Sequence, residues 1–135
     1  MFRLVKILNG RINESEPIRL KTTAGAAYAF GSALALSAGA LINCTATTKP
    51  QFICGEDAKA DEKSEITVYP IDTNQIFETT VNASPSALGV GSKVTLAISG
   101  GAAVGVTATT TNGVAEIFEL GSAEAAGDKL YVRIV

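Results

Sequence analysis

The chain of 135 residues contains no histidine and no tryptophan, and it has only two cysteines. Histidine is the side chain most often used as a general base or a metal ligand, so its absence excludes Ser-His-Asp and Cys-His catalytic arrangements. Aromatic residues make up 6% of the sequence, whereas hydrophobic residues make up 47%. The apolar residues are therefore mainly alanine, valine, leucine and isoleucine, which suit closely packed β-sheets.

The polar residues also lack the spacing of known reaction centres. The dense carboxylates of residues 56–65 alternate with lysines, which predicts a solvated loop rather than a pair of catalytic acids or a calcium loop. The glycines of residues 89–93 do not have the spacing of a phosphate-binding loop. We therefore predict that the protein is not an enzyme and that it uses no cofactor and no metal ion.

Charge is nearly balanced over the chain but is unevenly distributed. Eleven basic and 13 acidic residues give a net charge of −2, which argues against a nucleic-acid partner. Residues 1–21 hold five basic and two acidic residues, and residues 56–65 hold five acidic and two basic ones. These segments are either two solvated surfaces or opposite poles that guide neighbouring copies towards one another.

Residues 22–48 carry no charge and are long enough to cross a membrane as a helix. The stretch is rich in alanine, glycine and serine, which contribute little to membrane insertion. Residues 30–36 alternate as in a half-buried strand, and glycines punctuate the stretch as turns would. We expect neither a membrane segment nor a signal peptide, and therefore no membrane partner.

Short alternating apolar segments, separated by Gly, Asn or Pro, predict β-strands. They cover residues 2–8, 18–22, 31–36, 40–46, 51–54, 65–71, 76–81, 93–98, 103–109, 114–120 and 129–135. No segment shows convincing helical periodicity. The pattern predicts an all-β fold, a single small β-barrel or β-sandwich of antiparallel strands with short loops. We expect the last strand to be paired within a sheet.

The two cysteines, Cys44 and Cys54, do not have the spacing of a zinc site or a CxxC motif. They could face each other across a hairpin at residues 49–50. Without an export signal, two buried, reduced thiols are the favoured interpretation.

Three segments resemble the small capsid decoration proteins of tailed bacteriophages, also called cement or head-stabilising proteins. Residues 30–41 follow the pattern G-x-x-L-x-L-x-x-G-x-L, residues 50–55 run from a proline to a glycine, and residues 126–132 end as a-G-D-x-(apolar)-x-V. The resemblance covers residues 24–135.

The resemblance implies a virion structural protein on the capsid exterior, present in the host cytoplasm during assembly. Such a protein binds across subunits of the major capsid protein and stabilises the shell, often as a trimer, and it has no catalytic residues. Two alternatives are another phage assembly component (a tail tube, fibre or head–tail part) and a ligand-binding β module. The scarcity of aromatic residues argues against a carbohydrate module.

The N-terminal residues 1–23 form a separate strand or arm in this interpretation, and residues 24–135 form the domain. The segment is basic, partly apolar and interrupted by a predicted turn at Asn9 and Gly10. We predict that a partner contact involves Phe2, Arg3, Leu4, Lys6 and Arg11. The alternative is that residues 2–8 form the first strand of the core.

Overall fold

A computed structural model describes residues 1–8 and 16–135. These residues form twelve β-strands and no α-helix. They therefore contain no helix that could cross a membrane. The strands are β1 (Arg3–Ile7), β2 (Ile18–Lys21), β3 (Ala33–Ser37), β4 (Ala40–Asn43), β5 (Phe52–Cys54), β6 (Glu65–Pro70), β7 (Gln75–Thr80), β8 (Lys93–Val94), β9 (Leu96–Ser99), β10 (Ala102–Val106), β11 (Ala115–Glu119) and β12 (Lys129–Ile134).

The strands form two open antiparallel sheets. Sheet I has the order β1-β7-β12-β11-β8. Sheet II has the order β2-β6-β5-β3-β10-β9, and β4 pairs with β3 beside this path. Neither sheet closes on itself, so the all-β prediction is confirmed in its sandwich form rather than as a barrel. The last strand, β12, lies between β7 and β11, which confirms that this segment is paired within a sheet.

The two strands of the N-terminal segment belong to different sheets. β1 pairs with β7 at the edge of sheet I, and β2 pairs with β6 at the edge of sheet II. The division of the chain into residues 1–23 and 24–135 stays a prediction. The turn predicted at Asn9 and Gly10 lies outside the described residues.

Two hairpins of sheet II have two-residue turns in which both residues have positive φ. Ala38 and Gly39 join β3 to β4, with φ of 49° and 79°. Gly100 and Gly101 join β9 to β10, with φ of 59° and 80°. This backbone shape matches the right-handed twist of the flanking strands, and glycine adopts it without steric cost.

Residues 93–98, predicted as one strand, are divided between the two sheets at Thr95. β8 belongs to sheet I and β9 to sheet II. The Thr95 N–H donates to the Thr109 carbonyl at 3.0 Å, and its carbonyl accepts from the Thr107 N–H at 2.9 Å. The apolar alternation continues across Thr95, so the sequence pattern does not show that the chain changes sheets there.

The main core lies between the two sheets and is built from small and branched side chains. Sheet I contributes residues such as Val132 and Ile117, and sheet II contributes Ala33, Ala35 and Ile53. Burial of this apolar surface is the principal source of stability in a domain of this size.

A second cluster covers the opposite face of sheet II. Leu34 and Cys54 point into it, whereas their neighbours Ala33 and Ile53 point into the main core. Tyr28 closes this cluster from outside, and its backbone exchanges hydrogen bonds with Ala58. Sheet II is therefore buried on both faces here. Strands buried on both faces read as continuous apolar runs, which accounts for residues 31–35 of the uncharged stretch, whereas most of the rest of residues 22–48 is exposed or half-buried.

We expect Thr95→Val to destabilise the fold by about 1 kcal/mol, the usual contribution of one hydrogen bond. The Thr95 hydroxyl is buried and lies 2.7 Å from the Thr107 hydroxyl, so the substitution keeps the shape and removes this bond. Urea unfolding measures the change, with the exposed Thr110→Val as the control. Equal stability of both variants would show that the hydroxyl pair does not stabilise the strand division.

Candidate partner-binding groove

The first two residues of the chain connect the edge of sheet I to sheet II. Phe2 is 3% exposed and packs in the main core. Its N–H donates to the Gly31 carbonyl at 2.8 Å. The Met1 ammonium donates to the Val104 carbonyl on β10. The side chain of Phe2 therefore contributes to the core. At this position the structure agrees with the alternative prediction, in which residues 2–8 form the first strand of the core.

Met1 lies directly against Gly31, and a side chain at Gly31 would require the Met1 side chain to move. A Cβ atom at Gly31 would stand 2.2 Å from the Met1 Cγ atom. Gly31 also has a φ of +77°, which side chains rarely adopt. The absence of a side chain at this glycine thus allows the N-terminus to dock.

An open groove with a volume of about 410 Å³ lies beside this docked terminus. Its residues come from the N-terminal segment, the loop before β3, and strands β5, β6 and β7. They are Met1, Phe2, Arg3, Leu4, Phe30, Gly31, Ile53, Cys54, Tyr69, Pro70, Gln75 and Phe77. The groove has apolar residues on its floor and on most of its walls.

The groove lies at the edge of sheet I, where β1 is the last strand. Ile66 and Val68 of β6 point into the second cluster, so the alternation along the strand places Tyr69 on the opposite face. Tyr69 pairs with Ile53, which belongs to the main core. Because β1 is the edge strand of sheet I, no further strand of that sheet covers Tyr69, which is left partly exposed.

Four large apolar side chains on the groove walls are exposed. Phe30 is 55% exposed, Met1 50%, Tyr69 39% and Leu4 37%. Single exposed apolar residues are common, but a contiguous group around a concave surface is typical of a site that contacts a partner or a ligand. The groove is therefore the strongest candidate for a functional surface in the described part of the chain.

Phe30 is held in place by the acidic loop. Its backbone N–H donates to the Asp57 carboxylate at 2.8 Å. The next residue, Gly31, donates its N–H to the Cys54 carbonyl at 2.8 Å. The aromatic ring therefore projects from a braced backbone, which lowers the entropic cost of using it in a contact.

The Arg3 side chain joins an ion-pair cluster on the outer face of sheet I, opposite the face that carries Leu4 and Phe77. The Arg3 guanidinium lies 3.0 Å from the Glu78 carboxylate, and the Lys129 ammonium lies 3.4 Å from the same group. Burial acts to raise the pKa of Glu78, but the charges of Arg3 and Lys129 outweigh it and hold that pKa below its usual range. Two cations thus share one carboxylate, and the Arg3 side chain is 60% exposed.

The other predicted partner residues are placed as follows. Lys6 extends over the Phe118 ring, with its ammonium 5.9 Å from the ring centroid. Leu4 lines the groove with Phe2 and Arg3. Arg11 lies outside the described residues. The structure thus brings Phe2, Arg3 and Leu4 together, and their role in a partner contact stays a prediction.

Phe30 and Tyr69, which both line the groove, were not predicted as site residues. The alternation in β6 already separates Tyr69 from Ile66 and Val68, which is a usable signal. Phe30 was assigned to a half-buried strand, but it lies in a turn before β3. Its backbone N–H bonds to Asp57, 27 residues away in the chain, and no local pattern reveals that contact.

The acidic segment of residues 56–65 is part of the structure rather than only a solvated surface. Glu56 accepts a hydrogen bond from the Thr67 N–H at 2.7 Å and another from the Lys63 ammonium at 2.7 Å. Asp61 accepts a bond from the Gly25 N–H at 2.8 Å. These carboxylates brace the loop that covers the second cluster, while most residues of the segment are exposed, as predicted for a solvated loop.

The proposed opposite poles are partly neutralised within the chain. Arg19, from the basic segment, lies 3.4 Å from the Glu56 carboxylate and 3.9 Å from the Glu65 carboxylate. Because these charges are paired internally, they are not available in full to attract a neighbouring copy. The side-chain bond from Lys63, the N–H of Thr67 and the charge of Arg19 lower the pKa of Glu56 to about 2.

Neither cysteine forms a disulfide, which confirms the prediction of two buried thiols. Cys44 belongs to the main core and Cys54 to the second cluster, so the two sulfur atoms lie on opposite faces of sheet II. Burial raises the pKa of Cys44 to about 12, so its thiol is not a nucleophile at neutral pH. The described residues contain no group of three or more potential ligands that could hold a metal ion.

We expect Phe2→Ala to cost about 3 kcal/mol of unfolding free energy, because it leaves a cavity between the two sheets. The exposed Leu4→Ala should change stability by only about 0.5 kcal/mol. Thermal and urea unfolding of the two variants check this difference. If both variants were as stable as the wild type, the N-terminus would be an arm that does not contribute to the core.

Glu56→Gln should lower the stability at neutral pH and leave the variant less sensitive to acid than the wild type. The pKa of Glu56 is depressed in the folded state, so its stabilisation is complete above about pH 4.5 and is lost as the pH falls towards about 2. The gap between the two urea midpoints should close over this window. Glu119→Gln, exposed on β11, is the control and should show no such change.

The comparisons with known proteins leave the groove to be interpreted from its own geometry. No protein-family model matches the chain, and no curated protein matches it significantly. The function must therefore be argued from the fold, the braced loops and the apolar groove.

Proposed function

We propose that the protein is a structural component of a tailed-phage virion that decorates the capsid exterior and binds across subunits of the major capsid protein. The observation that carries the proposal is the open apolar groove beside the docked N-terminus. A patch of exposed apolar residues with a charged rim is typical of a surface that is covered by another protein. The three sequence segments that resemble decoration proteins support the identity of that partner.

The construction of the domain is consistent with a load-bearing role. Both sheets are antiparallel, and the long loop of residues 55–64 is tied down by carboxylates that accept backbone hydrogen bonds. A rigid subunit loses little conformational entropy on binding, so more of its contact energy stabilises the assembly. Repeated contacts at several sites on one particle add further avidity.

Self-association belongs to the same proposal. A trimer would place three grooves on one face and let one assembly contact several capsid subunits at once. Sedimentation equilibrium of the purified protein tests this directly. A trimer supports the decoration proposal, whereas a monomer that also fails to form trimers on the particle would remove this part of it.

The proposal predicts that the wild-type protein binds undecorated particles, assembled from the major capsid protein of its own phage, in a fixed stoichiometry. Phe30→Asp should weaken this binding at least about tenfold, because it places a charge at the centre of an apolar contact. Cosedimentation with the particles measures both. Ile98→Asp is the matched control, since Ile98 is an exposed apolar residue outside the groove.

Failure of the wild-type protein to bind such particles would contradict the decoration proposal. Binding to tails instead of heads would assign the protein to another assembly component, such as a tail tube, fibre or head–tail part. A ligand-binding β module is a second candidate, because the volume of about 410 Å³ lies within the range of small-molecule sites. That candidate predicts a bound small molecule in the native mass spectrum of the purified protein.

A further inference from the structure

We propose that Asn112 is a site of spontaneous deamidation and that the isoaspartate formed there loosens the edge of sheet I. The site lies in the turn that leads into β11, so it is independent of the groove and of the proposed function. Asn112 and Gly113 are the one Asn-Gly pair among the described residues. Glycine has no Cβ atom, so it leaves its own peptide nitrogen open to the preceding asparagine side chain.

The turn leaves the reactive side chain free. Thr111 and Asn112 form an exposed turn. Asn112 has a φ of 57°, in the left-handed region that asparagine enters more readily than most residues. No hydrogen bond from any described residue holds the Asn112 side-chain amide. The side chain is therefore free to turn towards the backbone, and water has access to it.

The reaction joins two groups that are neighbours in the chain, which gives it the advantage of an intramolecular step. The Gly113 peptide nitrogen loses its proton to hydroxide and attacks the Asn112 Cγ atom, so that a C–N bond forms. The bond from Cγ to the side-chain nitrogen breaks, and this nitrogen leaves as ammonia with a proton from water. Water then adds to one of the two carbonyls of the succinimide ring and opens it to aspartate or isoaspartate.

The packing of Gly113 makes isoaspartate the disruptive product. A Cβ atom at Gly113 would stand 2.3 Å from the Lys93 carbonyl carbon and oxygen, so the Gly113 backbone lies directly against β8. Aspartate keeps the length of the main chain. Isoaspartate routes the main chain through the former side chain and so adds one methylene group to it. We expect the added length to shift Gly113 against the Lys93 backbone.

The pairing next to Gly113 is the only strand pairing that holds β8 in sheet I. β8 is two residues long and lies at the edge of the sheet, beside β11. The Val114 N–H donates to the Val94 carbonyl at 2.9 Å, and Ala115 pairs with Val94. A shift of Gly113 therefore acts directly on the first hydrogen bond between these two strands.

Incubation of the full chain at mildly alkaline pH, followed by peptide mapping, tests the modification. The wild-type peptide that contains Asn112 should become heavier by the difference between a hydroxyl and an amino group, and an isoaspartyl methyltransferase should label it. Mapping separates this site from the pair Asn9 and Gly10. Asn112→Gly is the matched control, because glycine keeps the positive φ and has no side-chain amide. If Asn112 stays intact in the folded protein while the isolated peptide of residues 107–117 deamidates, the proposal is wrong.

Hydrogen exchange tests the effect on sheet I. In the isoaspartate form, separated by chromatography, the Val114 amide should exchange at least about tenfold faster than in fresh protein, because the β8–β11 pairing opens more often. Fresh Asn112→Asp carries the same charge without the extra methylene group and should exchange like the wild type. The amides of β6 in sheet II are the internal reference. Unchanged exchange at Val114 in the isoaspartate form, or equally fast exchange in Asn112→Asp, would overturn the proposed loosening.

Discussion

The docking of the first two residues onto sheet II is the contact on which the candidate surface depends. Phe2 fills the core between the sheets, and its N–H bonds to Gly31. Met1 covers the same glycine and bonds to Val104 on β10. These contacts fix the edge strand β1 beside sheet II, so they position one wall of the groove. Loss of the Phe2 contact would remove both core volume and the wall formed by Leu4.

The unequal coverage of sheet II accounts for both its stability and its groove. Around β3 and β5, one face packs against sheet I and the other against the second cluster and the loop of residues 55–64. Near β6, sheet I ends at β1, and Tyr69 is left partly exposed. The acidic loop serves both regions, because Glu56 stabilises its connection to β6 while Asp57 holds the backbone of Phe30.

Local patterns in the sequence were sufficient to predict most of the strands, since alternation and turn residues report on one strand at a time. They predicted strand β6, whose alternation places Tyr69 and Val68 on opposite faces of the sheet. They also predicted the turn at Gly100 and Gly101. They failed at Thr95, where the chain changes sheets without a change in pattern. They also failed for the groove, because its walls come from segments far apart in the chain and their proximity depends on the packing of the two sheets.

The central claim is that the protein acts through its apolar groove, as a part held by another protein. A cryo-electron microscopy map of particles decorated with the wild-type protein tests this claim most directly. If the claim is correct, density from the major capsid protein fills the groove and contacts Phe30 and Tyr69. A groove that faces solvent on a fully decorated particle would contradict the account.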